Sequence, residues 1–95
     1  CSGGEASLIA DLAVGRDLEF PALSAGQAQA LRDALGPMVA LANPLDYHTY
    51  IWRDVAAMTR AWAGLTGEGI AMTFSIVDYP HTDATDWTCA TQAAL

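Results

Sequence analysis

The sequence predicts an α/β fold with a mainly parallel sheet, and three observations support that class. Segments with the apolar spacing of helices alternate with short apolar runs along the chain. The run at residues 70–77 lacks the alternation of a half-exposed strand and is typical of a strand covered on both faces. Glycine, proline and asparagine separate the segments. The predicted order is helix, strand, helix, strand, helix, strand, helix, with right-handed crossovers.

Composition limits the classes of protein to consider. A chain of 95 residues has room for one domain, and 53% hydrophobic with 16% charged residues is typical of a packed core. The balance of 4 Lys+Arg against 11 Asp+Glu disfavours nucleic acids and anionic membranes as partners. No apolar stretch approaches the ~20 residues that cross a bilayer, and Cys1 and Cys89 lack metal-ligand spacing. We expect a cytoplasmic protein with two free thiols.

The first two helices carry start signals. Residues 4–14 have helical spacing, and Ser2 stands three residues before Glu5, as in a capping box. A short extended piece at residues 18–20 leads to a second box, Ser24 with Gln27, which opens a helix through Leu35 that Gly36 and Pro37 close.

The second half continues the alternation. Residues 38–42 and 70–77 are predicted strands, and residues 51–63 and 85–95 are predicted helices. The three tryptophans lie in the helical segments and are expected to pack in the core. Because the chain opens on a helix cap where a layered α/β domain ordinarily begins with a strand, we expect a first strand, and likewise a last one, to be missing from these residues.

The turn formed by Ser2, Gly3 and Gly4 is the best candidate binding site. Glycines let a ligand approach the backbone, and a helix start presents unpaired N–H groups to phosphate. Glu5 opposes an incoming phosphate at the same end of the helix dipole, so it either caps the helix or has its own catalytic role. The alternative is a tight turn with an ordinary helix cap.

A second candidate follows the strand predicted at residues 38–42. Ligands gather at the carboxyl ends of parallel strands, which would place Asn43, Asp46 and His48 in the crevice. His48 is a candidate base or proton donor, or else a hydrogen-bonded loop histidine. Asp78, His81 and Asp83 follow the next strand as a second cluster, in which His81 is expected to be solvated, and no spacing among these groups predicts a metal site.

Together these pieces resemble the flavodoxin-like ligase domain of NDP-forming acyl-CoA synthetases, relatives of succinyl-CoA synthetase. The resemblance rests on the order of five short motifs: Ser-Gly-Gly at 2–4, Leu-Glu-Phe-Pro at 18–21, Leu-Ser at 23–24, Leu-Gly-Pro at 35–37 and Ala-Asn-Pro-Leu-Asp at 42–46. It is good over residues 2–46 and looser through residues 70–77. The implied fold is a three-layer α/β domain, partial over residues 1–95 and lacking its first and last strands.

The resemblance also implies a function. That family joins an acid to CoA with ATP or GTP and Mg, through an acyl phosphate and a phosphohistidine on a mobile loop. Phosphate is held between two helix N-termini, one of which corresponds to Ser2, Gly3 and Gly4. The phosphorylated histidine belongs to another domain, so neither His48 nor His81 takes that role.

The implied partners are the phosphohistidine loop, the CoA-binding and ATP-grasp domains of the same enzyme, and a second copy in a homodimer. This domain alone is expected to bind no cofactor and to be inactive. Two alternatives stay open: a flavodoxin-like module that binds a phosphorylated ligand without chemistry, and a structural domain that presents its helices to a partner.

Overall fold

The computed structural model describes residues 3–77 and 83–95, and their regular structure is helical. The elements are α1 (Glu5–Ala13), α2 (Ala25–Leu35), a 3₁₀ turn (Thr49–Ile51), α3 (Val55–Gly64) and α4 (Thr85–Ala94). The described residues contain no β-strand. The predicted α/β class, the flavodoxin-like sheet and its missing central strand are therefore wrong for this structure.

Residues 38–42 form a turn, a bend and irregular backbone in place of the predicted strand, and a side chain of α2 holds this loop. The guanidinium of Arg32, near the end of α2, donates to the carbonyl oxygens of Gly36 (2.8 Å) and Val39 (2.9 Å). Val39 is 2% exposed, so the short apolar run does mark burial. The burial is achieved by a loop that folds back on α2 rather than by a ladder.

Residues 72–77 form no helix, turn or bend, and they are likewise unpaired in a ladder. The Trp62 indole N–H on α3 donates to the Ser75 hydroxyl at 2.6 Å, and the Thr73 hydroxyl donates to the Leu65 carbonyl over a longer 3.5 Å. Side chains therefore attach this segment to the end of α3, in place of neighbouring strands.

The predicted start of α2 is confirmed and that of α1 is not. Ser24 accepts from the Gln27 amide while the Gln27 side chain accepts from the Ser24 amide, so the capping box is complete. Helix α1 begins at Glu5 with Gly4 as its N-cap, which places Glu5 one residue into the helix instead of three. Ser2 lies outside the described residues.

The helix predicted over residues 51–63 is divided in two. Arg53 adopts φ 69°, in the left-handed region, which ends the 3₁₀ turn. Asp54 then caps α3 by accepting from the Ala57 amide at 2.9 Å. The helix predicted over residues 85–95 is confirmed at Thr85–Ala94.

The core lies where α3 packs against α2 on one side and α4 on the other. Leu31 and Met58 are fully buried at these contacts, as is Ala90 of α4. Gly64 allows close approach, because a Cβ there would meet the Leu31 Cδ2 atom at 3.2 Å. In contrast, α1 has no buried residue, and Leu8 and Leu12 are 56% and 54% exposed.

None of the helices in the described ranges combines the length and the apolar character that a membrane crossing requires.

Leu31→Ala should destabilise the protein by about 2–5 kcal/mol, because it removes a fully buried side chain at the α2–α3 contact. Leu8→Ala, on the exposed side of α1, should change stability by less than about 0.5 kcal/mol. Urea unfolding followed by circular dichroism compares the two. Equal losses would mean that α1 belongs to the cooperative core.

Candidate functional site

The two sequence-predicted sites meet at one carboxylate oxygen. Asp46 Oδ1 accepts a hydrogen bond from the Gly3 amide at 3.0 Å and another from the His48 amide at 3.0 Å. Gly3 and Asp46 are separated by 43 residues, so this contact joins the start of the chain to the loop after α2. We call Gly3, Asp46 and His48 the Asp46 junction.

Two residues of the junction have a positive φ, which glycine adopts readily and other residues adopt rarely. Gly3 has φ 75° and tolerates it because it lacks a Cβ. His48 has φ 58°, which is uncommon for a residue with a side chain. Asp46 supports that conformation, because an aspartate that bonds the amide two residues ahead makes a local turn of its own.

The charge of Asp46 is favoured by this arrangement. Partial burial raises the pKa of Asp46, but the hydrogen bonds from the Gly3 and His48 amides and the charge of His48 outweigh it. Together they lower the pKa below its ordinary value of 3.8. Asp46 is therefore a carboxylate at neutral pH.

Glu5 brings a second carboxylate to Gly3. Its Oε2 atom lies 3.7 Å from where a Cβ on Gly3 would stand, and this atom is buried without a hydrogen-bond partner. Gly4 has φ −65°, and nothing lies within 4 Å of a Cβ placed there. A free phosphate approaching the first turn of α1 therefore meets helix amides that no described side chain caps, and two acidic groups beside them.

The side chains of Asn43 and His48 have other partners than Asp46. The Asn43 side chain donates to the Pro21 carbonyl at 3.0 Å and so ties the loop to the segment before α2. The His48 ring stacks on Tyr50, with centroids 5.3 Å apart and planes 10° apart. Sequence reasoning missed Tyr50, which is 71% exposed, although its position two residues after His48 was a usable signal.

The cluster predicted after residues 70–77 is described only at its end. Ser2, Asp78 and His81 lie outside the described residues. Asp83 accepts from the hydroxyl and the amide of Thr85, both of which lower its pKa, so it serves the start of α4. Within the described ranges no group of three or more His, Cys, Asp or Glu could hold a metal ion, and Cys89 is a free, exposed thiol.

The aromatic residues pack as predicted. Trp62 and Trp87 are buried, and Trp52 meets Trp87 edge-on at 5.6 Å. A depression beside Tyr47, Trp62 and Phe74 has a volume of about 20 Å³, little more than one water molecule needs. It is too small for a substrate, so the Asp46 junction is the candidate functional site.

Comparison with family models, with curated proteins and with solved structures gives no match to this chain.

The lowered pKa of Asp46 makes the junction sensitive to acid. Its stabilising contribution should be fully present above pH 4 or so, the ordinary carboxyl range, and be lost as the pH falls through the lower folded-state pKa. The ¹⁵N–¹H signal of the Gly3 amide should therefore shift with a midpoint below 3.8. Asp46→Asn should abolish that transition, and circular dichroism should show that the helices remain folded. A midpoint at or above 3.8 in the unmodified protein would contradict the geometry.

Proposed function

We propose that this chain is part of an NDP-forming acid–CoA ligase, in which it binds phosphate during phosphoryl transfer. The observation that supports the proposal is the hydrogen bond between Gly3 and Asp46. It joins Ser-Gly-Gly to Asn-Pro-Leu-Asp, the two motifs most important to the resemblance. Two motifs so far apart in sequence that share one directed contact are better explained by one site than by two unrelated turns. The expected sheet forms no part of this proposal.

The chemistry assigned to this chain is electrostatic. No side chain among the described residues caps helix α1, and in this proposal the amides of its first turn stabilise negative charge as a phosphoryl group moves. Asp46 orients the turn by binding the Gly3 amide and leaves the amides beyond Gly4 to the phosphate. Glu5 weakens ground-state binding of a free phosphate, which favours transfer over retention.

The rest of the reaction is assigned to other parts of the enzyme. ATP or GTP with Mg, CoA and the phosphohistidine loop belong to the ATP-grasp and CoA-binding domains of the proposed cytoplasmic ligase. The His48 amide donates a hydrogen bond to Asp46, and in this proposal the His48 ring is a candidate for proton transfer.

Of the two alternatives, a module that binds a phosphorylated ligand without chemistry would, like the ligase domain, have to do so without the flavodoxin-like sheet. The interaction domain is favoured by a specific observation, the exposure of Leu8 and Leu12 on α1 and of Met72 and Phe74 beyond α3. Exposed apolar side chains in clusters mark surfaces that contact other proteins. That role is compatible with a domain of a larger ligase.

In the full-length polypeptide, Glu5→Gln should tighten phosphate binding by about two- to fivefold, because it removes a charge at the helix N-terminus worth ~0.3–1 kcal/mol. Isothermal titration with inorganic phosphate measures the affinity. Asp11→Asn is the matched control, since Asp11 is exposed further along the same helix and should leave the affinity unchanged. Equal affinity in both variants would exclude the first turn of α1 as the site.

The isolated chain should form no acyl-CoA from ATP, Mg, CoA and a panel of carboxylic acids, whereas the full-length polypeptide should form acyl-CoA, ADP and phosphate. Thioester formation followed by its own ultraviolet absorbance would need no coupling enzyme. Activity of the isolated chain would contradict the assignment of nucleotide, CoA and phosphohistidine binding to other domains. Inactivity of the full-length polypeptide with every acid and with both ATP and GTP would overturn the ligase proposal itself.

A further inference from the structure

Along residues 70–77, side chains that contact the body of the protein alternate with side chains that are exposed. Thr73 and Ser75 bond to the end of α3, and Val77 packs against the core. Met72 and Phe74, at the intervening positions, are 69% and 70% exposed. Hydroxyls that bond to the end of α3 thus alternate with large, mostly exposed apolar side chains, at the two-residue period of a strand.

The backbone of this segment is also unpaired. Among the described residues, residues 71–77 take part in no backbone–backbone hydrogen bond. Residues 71–75 are exposed, so their amides and carbonyls form an open edge on which another extended chain can add. An occupant must therefore be extended, must present apolar groups on one face and must tolerate small hydroxyls on the other.

The same segment of a second copy meets each of these requirements. Residues 70–77 contain no charge, proline or glycine, although the chain has a formal net charge of −7. Two copies that approach along this segment oppose no like charges within the pair, while charges elsewhere on the chain would repel. A two-fold contact of this kind closes on itself.

We propose that residues 71–77 pair antiparallel with the same residues of a second copy, with Phe74 opposite Phe74. In this register Met72 lies opposite Ile76 on the outer face, and Thr73 lies opposite Ser75 on the inner face. Residues directly opposite each other share a face of the sheet, so every pair is apolar with apolar or hydroxyl with hydroxyl. This inference does not depend on the ligase proposal.

Sedimentation equilibrium of the full chain over a concentration series tests the proposal. The dimer should be populated as concentration rises, and Phe74→Asp should weaken it at least about tenfold, because it removes an aromatic pair and opposes two carboxylates. Met38→Asp is the matched control, since Met38 is 82% exposed and lies outside the segment. Circular dichroism checks that both variants keep their helices.

Disulfide trapping tests the register separately from stability. With Cys1 and Cys89 replaced by serine, Phe74→Cys should form a covalent dimer under mild oxidation, because the two sulfurs stand opposite each other. Met72→Cys should form much less, since its counterpart is displaced along the strand. A monomer at all concentrations, open-ended oligomers, an effect of Met38→Asp equal to that of Phe74→Asp, or equal trapping at positions 72 and 74 would each overturn the proposal.

Discussion

Helix α3 packs against α2 and α4 at once, and the positions of the remaining segments follow from that packing. Met58 and Ala61 are buried within it, and Gly64 brings its end close to Leu31 of α2. With α2 held, Arg32 can reach the carbonyls of the loop that follows and turn it back over the core. With the end of α3 held, Trp62 and the Leu65 carbonyl are in place to receive residues 70–77.

The parts of the fold that sequence reasoning predicted are those determined by local chemistry. Ser24 and Gln27 complete their capping box within one helical turn, so no distant contact was needed to find the start of α2. The sheet depended on a different inference, in which a short apolar run was interpreted as a strand. Such a run indicates burial but not the partner that provides it, and here the partners were the side chains of Arg32 and Trp62. Neither contact has a periodic signature.

The candidate site likewise has features that the sequence predicted and features that it did not. Gly3 was singled out for a turn at a helix start and Asp46 for its place after a predicted strand, and the structure joins them by a hydrogen bond although that strand is absent. Asn43 was grouped with Asp46 by proximity in sequence, yet its amide is engaged by Pro21 instead. Glu5 was expected to cap the first helix. The observed start at Gly4 shifts the helix by two residues and leaves one Glu5 oxygen buried and without a partner. A shift of that size cannot be resolved from capping preferences alone.

The error in the predicted sheet is informative about residues 70–77. Because these residues lack a clean alternation of apolar and polar types, they were interpreted as a strand buried on both faces. In the structure only one set of their side chains bonds to α3. The hydroxyls of Thr73 and Ser75 bond to the end of α3. Met72 and Phe74 remain exposed, and the exposure of large apolar side chains to water is unfavourable. A second extended chain on the open edge would satisfy the backbone and bring apolar groups against the outer face. The pattern that was wrong as evidence for an internal sheet is thus consistent with pairing between chains.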